Sequence, residues 1–202
     1  MTLDHSRGPF KLGLTGSIGM GKSTTSGLFA AELIPVWDAD AAVHRLYATG
    51  GPAVAQIAAL IPAAVRDGSV SRETLREHVA KDPTILPRLE SIIHPLIATD
   101  RALFLAAQTA PIVVLDIPLL FENGTEAALD ATLLVTAPPA LQRARVLARP
   151  GMTEALFATI LARQMPDAEK RRRASHIVET LDLASTTAYV KALVSFIRAA
   201  NA

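Results

Sequence analysis

Short runs of apolar residues recur along the chain, and each is followed by polar residues or proline and then by a segment with helical periodicity. Continuous apolar character of this kind is typical of strands that are buried on both faces. The alternation predicts an α/β fold, in which a parallel sheet is the middle of three layers and helices cover both of its faces. The predicted strands are residues 11–14, 35–37, 112–115, 133–135 and 177–178.

One long stretch, residues 52–107, interrupts this alternation. It shows helical periodicity but no segment that predicts a strand, and four prolines break the periodicity. The stretch is therefore predicted to form a helical insertion beside the sheet. The predicted helices of the insertion are residues 52–60, 72–79 and 95–106, and a last helix is predicted over residues 183–199.

A glycine-rich segment between the first predicted strand and a helix predicted over residues 24–33 fits the pattern G-x-x-x-x-G-K-[ST]. In this pattern the backbone N–H groups surround nucleotide phosphates, the lysine reaches the same phosphates, and the hydroxyl ligates Mg²⁺. The strand before the segment and the helix after it are the context that this chemistry requires. The residues of the pattern are Gly16, Ser17, Ile18, Gly19, Met20, Gly21, Lys22 and Ser23.

Carboxylates follow two of the predicted strands, at the edge where open α/β sheets bind ligands. Asp38 and Asp40 follow the second strand, and Asp116 ends the third. Asp38 either caps the next helix or, in extended chain, points the same way as Asp40. Asp40 is expected beside the phosphates, where it would accept a proton from an attacking hydroxyl or hold Mg²⁺. Asp116 either supports the metal or caps a turn.

Composition narrows the class of protein. A chain of 202 residues, half of them apolar, is long enough for one domain with a proper core, and it has no cysteine for disulfides or thiolate metal sites. Residues 1–10 lack the apolar stretch of a signal peptide, and no run of about 18 apolar residues predicts a membrane span. We therefore expect a cytoplasmic protein. Its net charge of +1 argues against a general nucleic-acid binder.

The positive charge is concentrated in residues 143–173, which contain eight basic and three acidic residues and therefore carry a net charge of +5. Such a segment in a phosphate-handling protein predicts a basic lid over the phosphates, although a solvated helix face is the alternative for any single arginine. The bases are Arg143, Arg145, Arg149, Arg163, Lys170, Arg171, Arg172 and Arg173.

His94 lies in the apolar stretch 89–97, a setting that by itself favours a hydrogen-bonded structural histidine over a ligand. The five histidines of the chain show no metal-ligand spacing.

Together these segments resemble the dephospho-coenzyme A kinase family, a family of P-loop kinases, in order and spacing from about residue 11 to residue 195. The loop alone is generic. The loop, Asp-Ala-Asp, His-Pro-Leu and Asp-Ile-Pro-Leu-Leu, in this order, are specific to the family. The matching segments are Leu14–Thr24, Asp38-Ala39-Asp40, Ile93-His94-Pro95-Leu96, Asp116-Ile117-Pro118-Leu119-Leu120-Phe121-Glu122, Gln142 with Arg145 and Arg149, and Gln164 before Ala174.

The resemblance implies transfer of the γ-phosphoryl group of ATP to the 3′-hydroxyl of the ribose in dephospho-coenzyme A, which gives coenzyme A and ADP. It implies that ATP binds at residues 16–24, including Thr24, with Lys22 neutralising the phosphates. It also implies a Mg²⁺ ion at Ser23 and Asp116.

For the acceptor, the resemblance implies that Asp40 is the base facing the 3′-hydroxyl and that His94 and Leu119 also bind dephospho-coenzyme A. Arg145 and Arg149 would lie in or beside the lid and meet the charge in transfer. The implied division of the single domain, expected to be a monomer or a weak homo-oligomer, is a core of residues 1–50 and 110–140, an insertion of residues 51–109, a lid of residues 141–173 and a C-terminal strand and helix of residues 174–202.

The chain departs from the family pattern at three places. His44 stands where arginine is usual, and Arg45 is the candidate to replace that arginine. Ala174-Ser175 stands for the usual Ala-Asp, and Val178-Glu179-Thr180 stands for the usual Ile-x-Asn.

Two other functions share the loop. A GTP-binding switch protein usually reads guanine through an Asn-Lys-x-Asp segment, which this chain lacks. A nucleoside monophosphate kinase shares the loop and the arginine lid, but the His-Pro-Leu segment does not support it.

Overall fold

The computed structural model describes residues 8–201, so residues 1–7, where we expect no signal peptide, lie outside the described residues. The strands are β1 (Phe10–Gly16), β2 (Val36–Asp38), β3 (Val65–Arg66), β4 (Ser69–Val70), β5 (Ile112–Asp116), β6 (Ala131–Thr136) and β7 (His176–Glu179). The helices are α1 (Lys22–Ala31), α2 (Ala39–Tyr47), α3 (Val54–Leu60), α4 (Arg72–Lys81), α5 (Ile85–Ala106), α6 (Pro139–Leu147), α7 (Glu154–Ala162), α8 (Asp167–Arg173) and α9 (Leu183–Ala200). Within residues 8–201, no helix combines the length and the apolar character that a membrane span needs.

The chain divides into two compact units. Unit 1 comprises the residues up to Trp37 and those from Gln108 onward, and unit 2 is Asp38–Ala107. Helix α2 therefore belongs to unit 2, whereas the resemblance implies that residues 1–50 are part of the core. Within unit 2 the bidentate ion pair of Arg45 with Asp100 and the buried Leu46 tie α2 to its neighbours.

Unit 1 is built on a five-stranded sheet with the strand order β2-β5-β1-β6-β7. The ladders of β1 with β5, of β1 with β6 and of β6 with β7 are all parallel, and the register pairs Leu14 with Asp116 and Gly16 with Val135. The predicted α/β fold with a parallel sheet is confirmed. The carboxyl ends of β1 and β5 thereby lie side by side, which positions the glycine-rich segment beside Asp116.

Both faces of this sheet are covered. On one face Leu12 and Leu14 of β1 pack with Phe29 of α1 and with the apolar side of α9 in a continuous buried cluster. On the other face Gly13 leaves so little room that an added Cβ would lie 2.3 Å from Leu129 and 2.7 Å from Leu120. Strands buried from both sides explain the continuous apolar runs of the sequence.

Unit 2 has its own apolar core, formed by residues of α2, α3, α4 and α5. It also contains a feature that the periodicity does not predict, a hairpin in which β3 and β4 pair antiparallel. Each strand is two residues long, too short to show an alternating pattern. The turn Asp67-Gly68 has positive φ at both residues and is the signal that marks such a hairpin.

Helix α5 starts ten residues earlier than predicted, at Ile85, so Pro95 lies inside it and not at its start. A proline has no N–H to donate to the preceding turn, at a cost of roughly 3 kcal/mol in a helix interior. Leu89 and Ile93, which precede the proline, are buried in the core of unit 2. Burial of these side chains outweighs the unfavourable proline, which is why local preference alone misplaced the helix start.

The close approach of β1 and β6 at Gly16 gives the first prediction. A Cβ on Gly16 would lie 2.6 Å from the Val135 carbonyl oxygen, a backbone atom that cannot move without shifting β6. We expect Gly16→Ala to lower the free energy of unfolding by about 1–3 kcal/mol, measured by urea denaturation.

Gly27 is the matched control, because it lies inside α1 and an added Cβ there would meet nothing within 4 Å. Gly27→Ala should raise the free energy of unfolding by about 0.5–1 kcal/mol through helix propensity. A shift of the same sign in both variants would contradict the steric argument.

Candidate active site

The glycine-rich segment joins β1 to the first turn of α1. Gly21 is the N-cap of α1 and has a left-handed backbone (φ 92°), a conformation that glycine adopts without strain. No side chain of the described residues caps this helix, and its first internal hydrogen bond is that from Thr25 N–H to the Gly21 carbonyl oxygen. The N–H groups of Lys22, Ser23 and Thr24 therefore lack an acceptor within the helix, and they form an anion-binding end.

Two glutamine amides hold the segment at Ile18. The Gln142 side-chain nitrogen donates to the Ile18 carbonyl oxygen at 2.7 Å, and the Ile18 N–H donates to the Gln164 side-chain oxygen at 3.1 Å. Gln142 lies on α6 and Gln164 in the connection between α7 and α8, so two separate parts of the predicted lid contact the loop. The Ile18 N–H thus already has an acceptor, unlike the N–H groups of the helix end.

Lys22 and Asp116 form an ion pair at the carboxyl ends of the two neighbouring strands. Lys22 Nζ lies 2.5 Å from Asp116 Oδ1, and Asp116 is almost completely buried. Lys22 is also the first residue of α1, next to the N–H groups of the anion-binding end. The ion pair compensates the buried carboxylate and holds the lysine in place.

Oxygen donors at this end of the sheet suit Mg²⁺. Ser23 is exposed at the second position of α1, and Asp116 supplies a carboxylate. Among residues 8–201 there is no group of three or more His, Cys, Asp or Glu side chains that could hold a metal ion. A protein that offers one hydroxyl and one carboxylate fits Mg²⁺, which keeps several waters and takes further oxygens from substrate phosphates.

Arg145 is anchored beside the loop. Its Nη1 donates to Thr180 Oγ1 at 2.9 Å and its Nη2 to the Thr180 carbonyl oxygen at 2.7 Å. Thr180 Oγ1 in turn donates to the carbonyl oxygen of Met20 at 2.7 Å. Arg149 lies one turn further along, just past the end of α6, where it is exposed and has no acidic partner within the described residues.

Half of the bases of residues 143–173 are compensated by ion pairs, so the net charge overstates the field of the predicted lid. Four of the eight bases form ion pairs with acids, and three of those acids, Glu122, Glu126 and Glu179, lie outside the segment. The pairs are Arg143 with Glu154, Lys170 with Glu122, Arg171 with Asp167 and Glu179, and Arg173 with Glu126.

Lys170 is the buried member of its pair with Glu122, which is partly buried. Lys170 is completely inaccessible, and its Nζ lies 2.8 Å from Glu122 Oε1, which also accepts the Met165 N–H at 2.9 Å. Burial alone would raise the pKa of Glu122, but the contact with Lys170 and the hydrogen bond from the Met165 N–H outweigh it and leave the pKa below its ordinary value. This pair ties α8 to the segment that follows β5.

The acidic motif after β2 lies in unit 2. Asp38 accepts the Ala41 N–H at 2.9 Å and caps α2, as predicted for a chain that enters a helix at once. Asp40 lies in the first turn of α2 with an exposed side chain. The two carboxylates therefore have different tasks, because only the Asp38 side chain is engaged by the helix.

The remaining predicted residues are accessible. His94 is exposed on α5, and its side chain has no hydrogen bond within residues 8–201, so the structure does not show the structural role that its apolar setting favours. Leu119 of unit 1 is 41% exposed, whereas its neighbours Leu120 and Phe121 are buried. Arg45 is bound by Asp100, and that hydrogen bond raises the pKa of Arg45.

Comparison with known proteins decides the family. The family model described as dephospho-CoA kinase matches residues 10–184, most of the chain. The chain belongs to the dephospho-CoA kinase family. The resemblance drawn from the motifs is thereby confirmed.

Relatives of the same name match nearly the whole chain. The dephospho-CoA kinase of Cereibacter sphaeroides is 66% identical over 190 residues, which cover 94% of this chain and 96% of that protein. The dephospho-CoA kinase of Jannaschia sp. is 57% identical over 187 residues, or 92% of this chain and 96% of that protein.

Solved structures agree with the fold. The crystal structure of a protein from Thermus thermophilus is 36% identical, with a TM-score of 0.83, and the match covers 94% of this chain and 98% of that one. The dephospho-CoA kinase from Campylobacter jejuni is 20% identical, with a TM-score of 0.64 over 93% of this chain and 96% of its own, and it supports the fold alone.

Several residues that shape this dephospho-CoA kinase site make contacts that the sequence does not predict. Gln142 and Gln164 were part of the family pattern, but nothing in the sequence says that both amides hold Ile18. Gln142 lies three residues before Arg145, a spacing that places both on one face of a helix and is the available signal. Thr180 gave no signal beyond its departure from the usual asparagine.

The buried ion pair gives the second prediction. Lys170→Met should lower the free energy of unfolding by about 3 kcal/mol at pH 7, because Glu122 would remain buried without a cation. The double variant Lys170→Met/Glu122→Gln should lose less, since a neutral amide needs no cation and can still accept the Met165 N–H. Urea denaturation of the two variants measures both values.

The contribution of Glu122 to the free energy of unfolding changes with pH in a defined direction. Because the pKa of Glu122 is lowered from 4.5 in the folded kinase, its ionisation stabilises the fold fully above that value, and the stabilisation is lost as the pH falls through the folded-state pKa.

Lys191→Met, which removes an exposed pair with Glu32, is the control for Lys170→Met and should lower the free energy of unfolding by less than about 1 kcal/mol. Equal losses in the Lys170 and Lys191 variants would contradict the argument.

Proposed function

We propose that this member of the dephospho-CoA kinase family transfers the γ-phosphoryl group of ATP to the 3′-hydroxyl of the ribose in dephospho-CoA, giving CoA and ADP. The observation that carries the proposal is the uncapped N-terminus of α1, with Lys22 as its first residue, in a chain whose family is established. Three N–H groups without a helical acceptor and one lysine form a site for the phosphates of a nucleotide.

On the donor side, the loop of residues 16–24 holds ATP. The N–H groups at the start of α1 bind phosphate oxygens, and Lys22 exchanges part of its contact with Asp116 for the phosphates. Ser23 and Asp116 hold Mg²⁺, which when bound neutralises phosphate charge. Because phosphoryl transfer requires mainly positioning and charge stabilisation, these contacts supply most of the catalysis.

Arg145 and Arg149 have different positions and therefore different tasks. Arg145 is fixed by two hydrogen bonds to Thr180 and can meet the transferring charge without reorganisation. Arg149 is exposed and unpaired by any acid of the described residues, so it is free to turn toward the phosphates when they are present. Removing an arginine that meets transition-state charge lowers turnover by roughly 10³-fold or more.

On the acceptor side, we assign Asp40, His94 and Leu119 to dephospho-CoA. Asp40 is exposed and its carboxylate has no task in capping α2, so it is available to accept the proton of the 3′-hydroxyl or to orient that hydroxyl. His94 has both ring nitrogens free within the described residues, and Leu119 offers an apolar surface. The proposed partner is therefore a small molecule, and the proposal includes neither a nucleic acid nor a membrane.

The proposal places this reaction in the cytoplasm, catalysed by a monomer or a weak homo-oligomer. The near-neutral charge of the chain and its lack of cysteine are compatible with both statements.

A coupled assay of ADP release tests the function. The purified protein is given ATP and Mg²⁺ with dephospho-CoA, AMP, CMP, shikimate or no acceptor, and Lys22→Ala serves as the inactive control. We expect turnover with dephospho-CoA and formation of CoA. Turnover with AMP or CMP alone would overturn the proposal, and slow hydrolysis that no acceptor accelerates would favour a nucleotide switch.

The role of Asp40 gives a further prediction. Asp40→Asn should lower kcat by about 10²–10⁴-fold while the KM for ATP stays within about threefold, because the carboxylate acts on the acceptor hydroxyl. The kinetic constants for both substrates check this.

Asp38→Asn is the matched control, since it removes the same charge two residues away while asparagine caps a helix about as well as aspartate. A KM effect on ATP with kcat preserved in Asp40→Asn would make Asp40 a nucleotide-binding residue. An equal loss of kcat in Asp38→Asn would mean that the local charge matters and not the position of Asp40.

A further inference from the structure

Thr180 lies at the junction of three elements of unit 1. It follows β7 directly and is 5% exposed. Its Oγ1 lies 2.9 Å from Arg145 Nη1, 2.7 Å from the Met20 carbonyl oxygen and 3.3 Å from the Thr136 carbonyl oxygen. Helix α6, the phosphate-binding loop and the end of β6 therefore meet at one hydroxyl group.

The direction of these hydrogen bonds is fixed by chemistry. A guanidinium has no acceptor, so the hydroxyl must accept from Arg145, and its single proton must go to a carbonyl oxygen. The Met20 carbonyl is the nearer of the two by 0.6 Å, as the distances of 2.7 and 3.3 Å show. The result is one ordered chain of hydrogen bonds from Arg145 through Thr180 to the loop.

The same side chain is packed against the turn that starts α1. A Cβ on Gly21 would lie 2.9 Å from Thr180 Oγ1 and 3.3 Å from Thr180 Cβ and Cγ2. The Thr180 backbone is itself fixed, because its N–H donates to the Thr136 carbonyl oxygen at 2.8 Å. The hydroxyl thus holds the arginine at a set position relative to the residues that precede Lys22.

We propose that Thr180 is a positioning residue of the phosphoryl-transfer site, whose hydroxyl orients Arg145 toward the phosphates held by the loop. This inference rests on the proposed function. Without the hydroxyl, Arg145 keeps only the bond to the Thr180 carbonyl oxygen and becomes free to rotate about it. A misplacement of about 1 Å in such a group can lower the rate about 10²-fold.

Kinetic analysis of Thr180→Val tests the proposal, because valine has the shape of threonine without the hydroxyl. In the coupled assay with ATP and dephospho-CoA, kcat should fall about 10–100-fold while the KM for dephospho-CoA stays within about threefold. Thr180→Ser, which retains the hydroxyl, should recover at least about a third of the wild-type kcat. A wild-type kcat in Thr180→Val, or no recovery in Thr180→Ser, would overturn the inference.

A double-mutant cycle separates positioning from a general structural role. In an Arg145→Ala background the change Thr180→Val should lower kcat by less than about twofold, because the group that it positions is gone. If the 10–100-fold loss persists in that background, Thr180 does not act through Arg145 and the inference is wrong. Should the valine variant not fold, Thr180→Ala provides the same loss of the hydroxyl for the cycle.

Thr132→Val is the control for the loss of a buried hydroxyl elsewhere in the sheet. Thr132 is 4% exposed, and its Oγ1 accepts the Ser175 N–H at 3.0 Å. This variant should lose stability and retain the wild-type kcat; a matching loss of kcat would show that the effect at Thr180 is not specific. If the wild-type protein itself fails with dephospho-CoA, the proposed function fails, whereas an active wild type beside an unaffected Thr180→Val refutes only this inference.

Discussion

A helix that begins without a cap imposes the main physical constraint on this molecule. The N–H groups at the start of α1 have no acceptor inside the helix, and Gly21 turns the chain so that no side chain of the described residues supplies one. Unpaired donors at a helix end are unfavourable unless water or an anion binds them. The parallel sheet, the left-handed glycine and the brace at Ile18 all serve to keep these donors in a fixed direction.

The side chains that we assign to the proposed reaction are of two kinds, anchored and accessible. Lys22 and Arg145 are held by partners, Asp116 and Thr180, that belong to the ends of other strands or follow them directly. Asp40, His94 and Arg149 are exposed, and their side chains form no ion pair within residues 8–201. Anchored cations stabilise charge without reorganisation, whereas accessible groups can follow a large and flexible acceptor.

The sequence was sufficient for the features that depend on neighbouring residues. The glycine-rich loop and the five strands follow from local patterns, and the structure agrees with both; of the two alternatives for Asp38, the structure shows the helix cap. The order of the motifs further identified the family. The charge of the predicted lid could not be predicted from neighbouring residues, because acids from another part of the chain compensate it. Lys170 forms an ion pair with Glu122, and Arg173 forms one with Glu126. The basic lid therefore looked more strongly charged than it is.

Packing also overrides local preference in unit 2. Pro95 marks a helix boundary in the sequence, but burial of Leu89 and Ile93 continues α5 through it. The strands of the hairpin at Asp67-Gly68 are too short to show the alternating apolar and polar pattern of a strand. The contact of Thr180 with Arg145 joins residues 35 positions apart and has no local signature at all.

Ionic strength should act unequally on the charges that connect α8 and α6 to their surroundings. Lys170 is fully excluded from solvent and the side chain of its partner Glu122 is 16% exposed, whereas the side chains of Arg143 and Glu154 are 59% and 56% exposed. Screening therefore weakens the surface pair much more than the partly buried one. In concentrated salt the link between α6 and α7 through Arg143 weakens first, while the contact of α8 with the segment after β5 is largely retained.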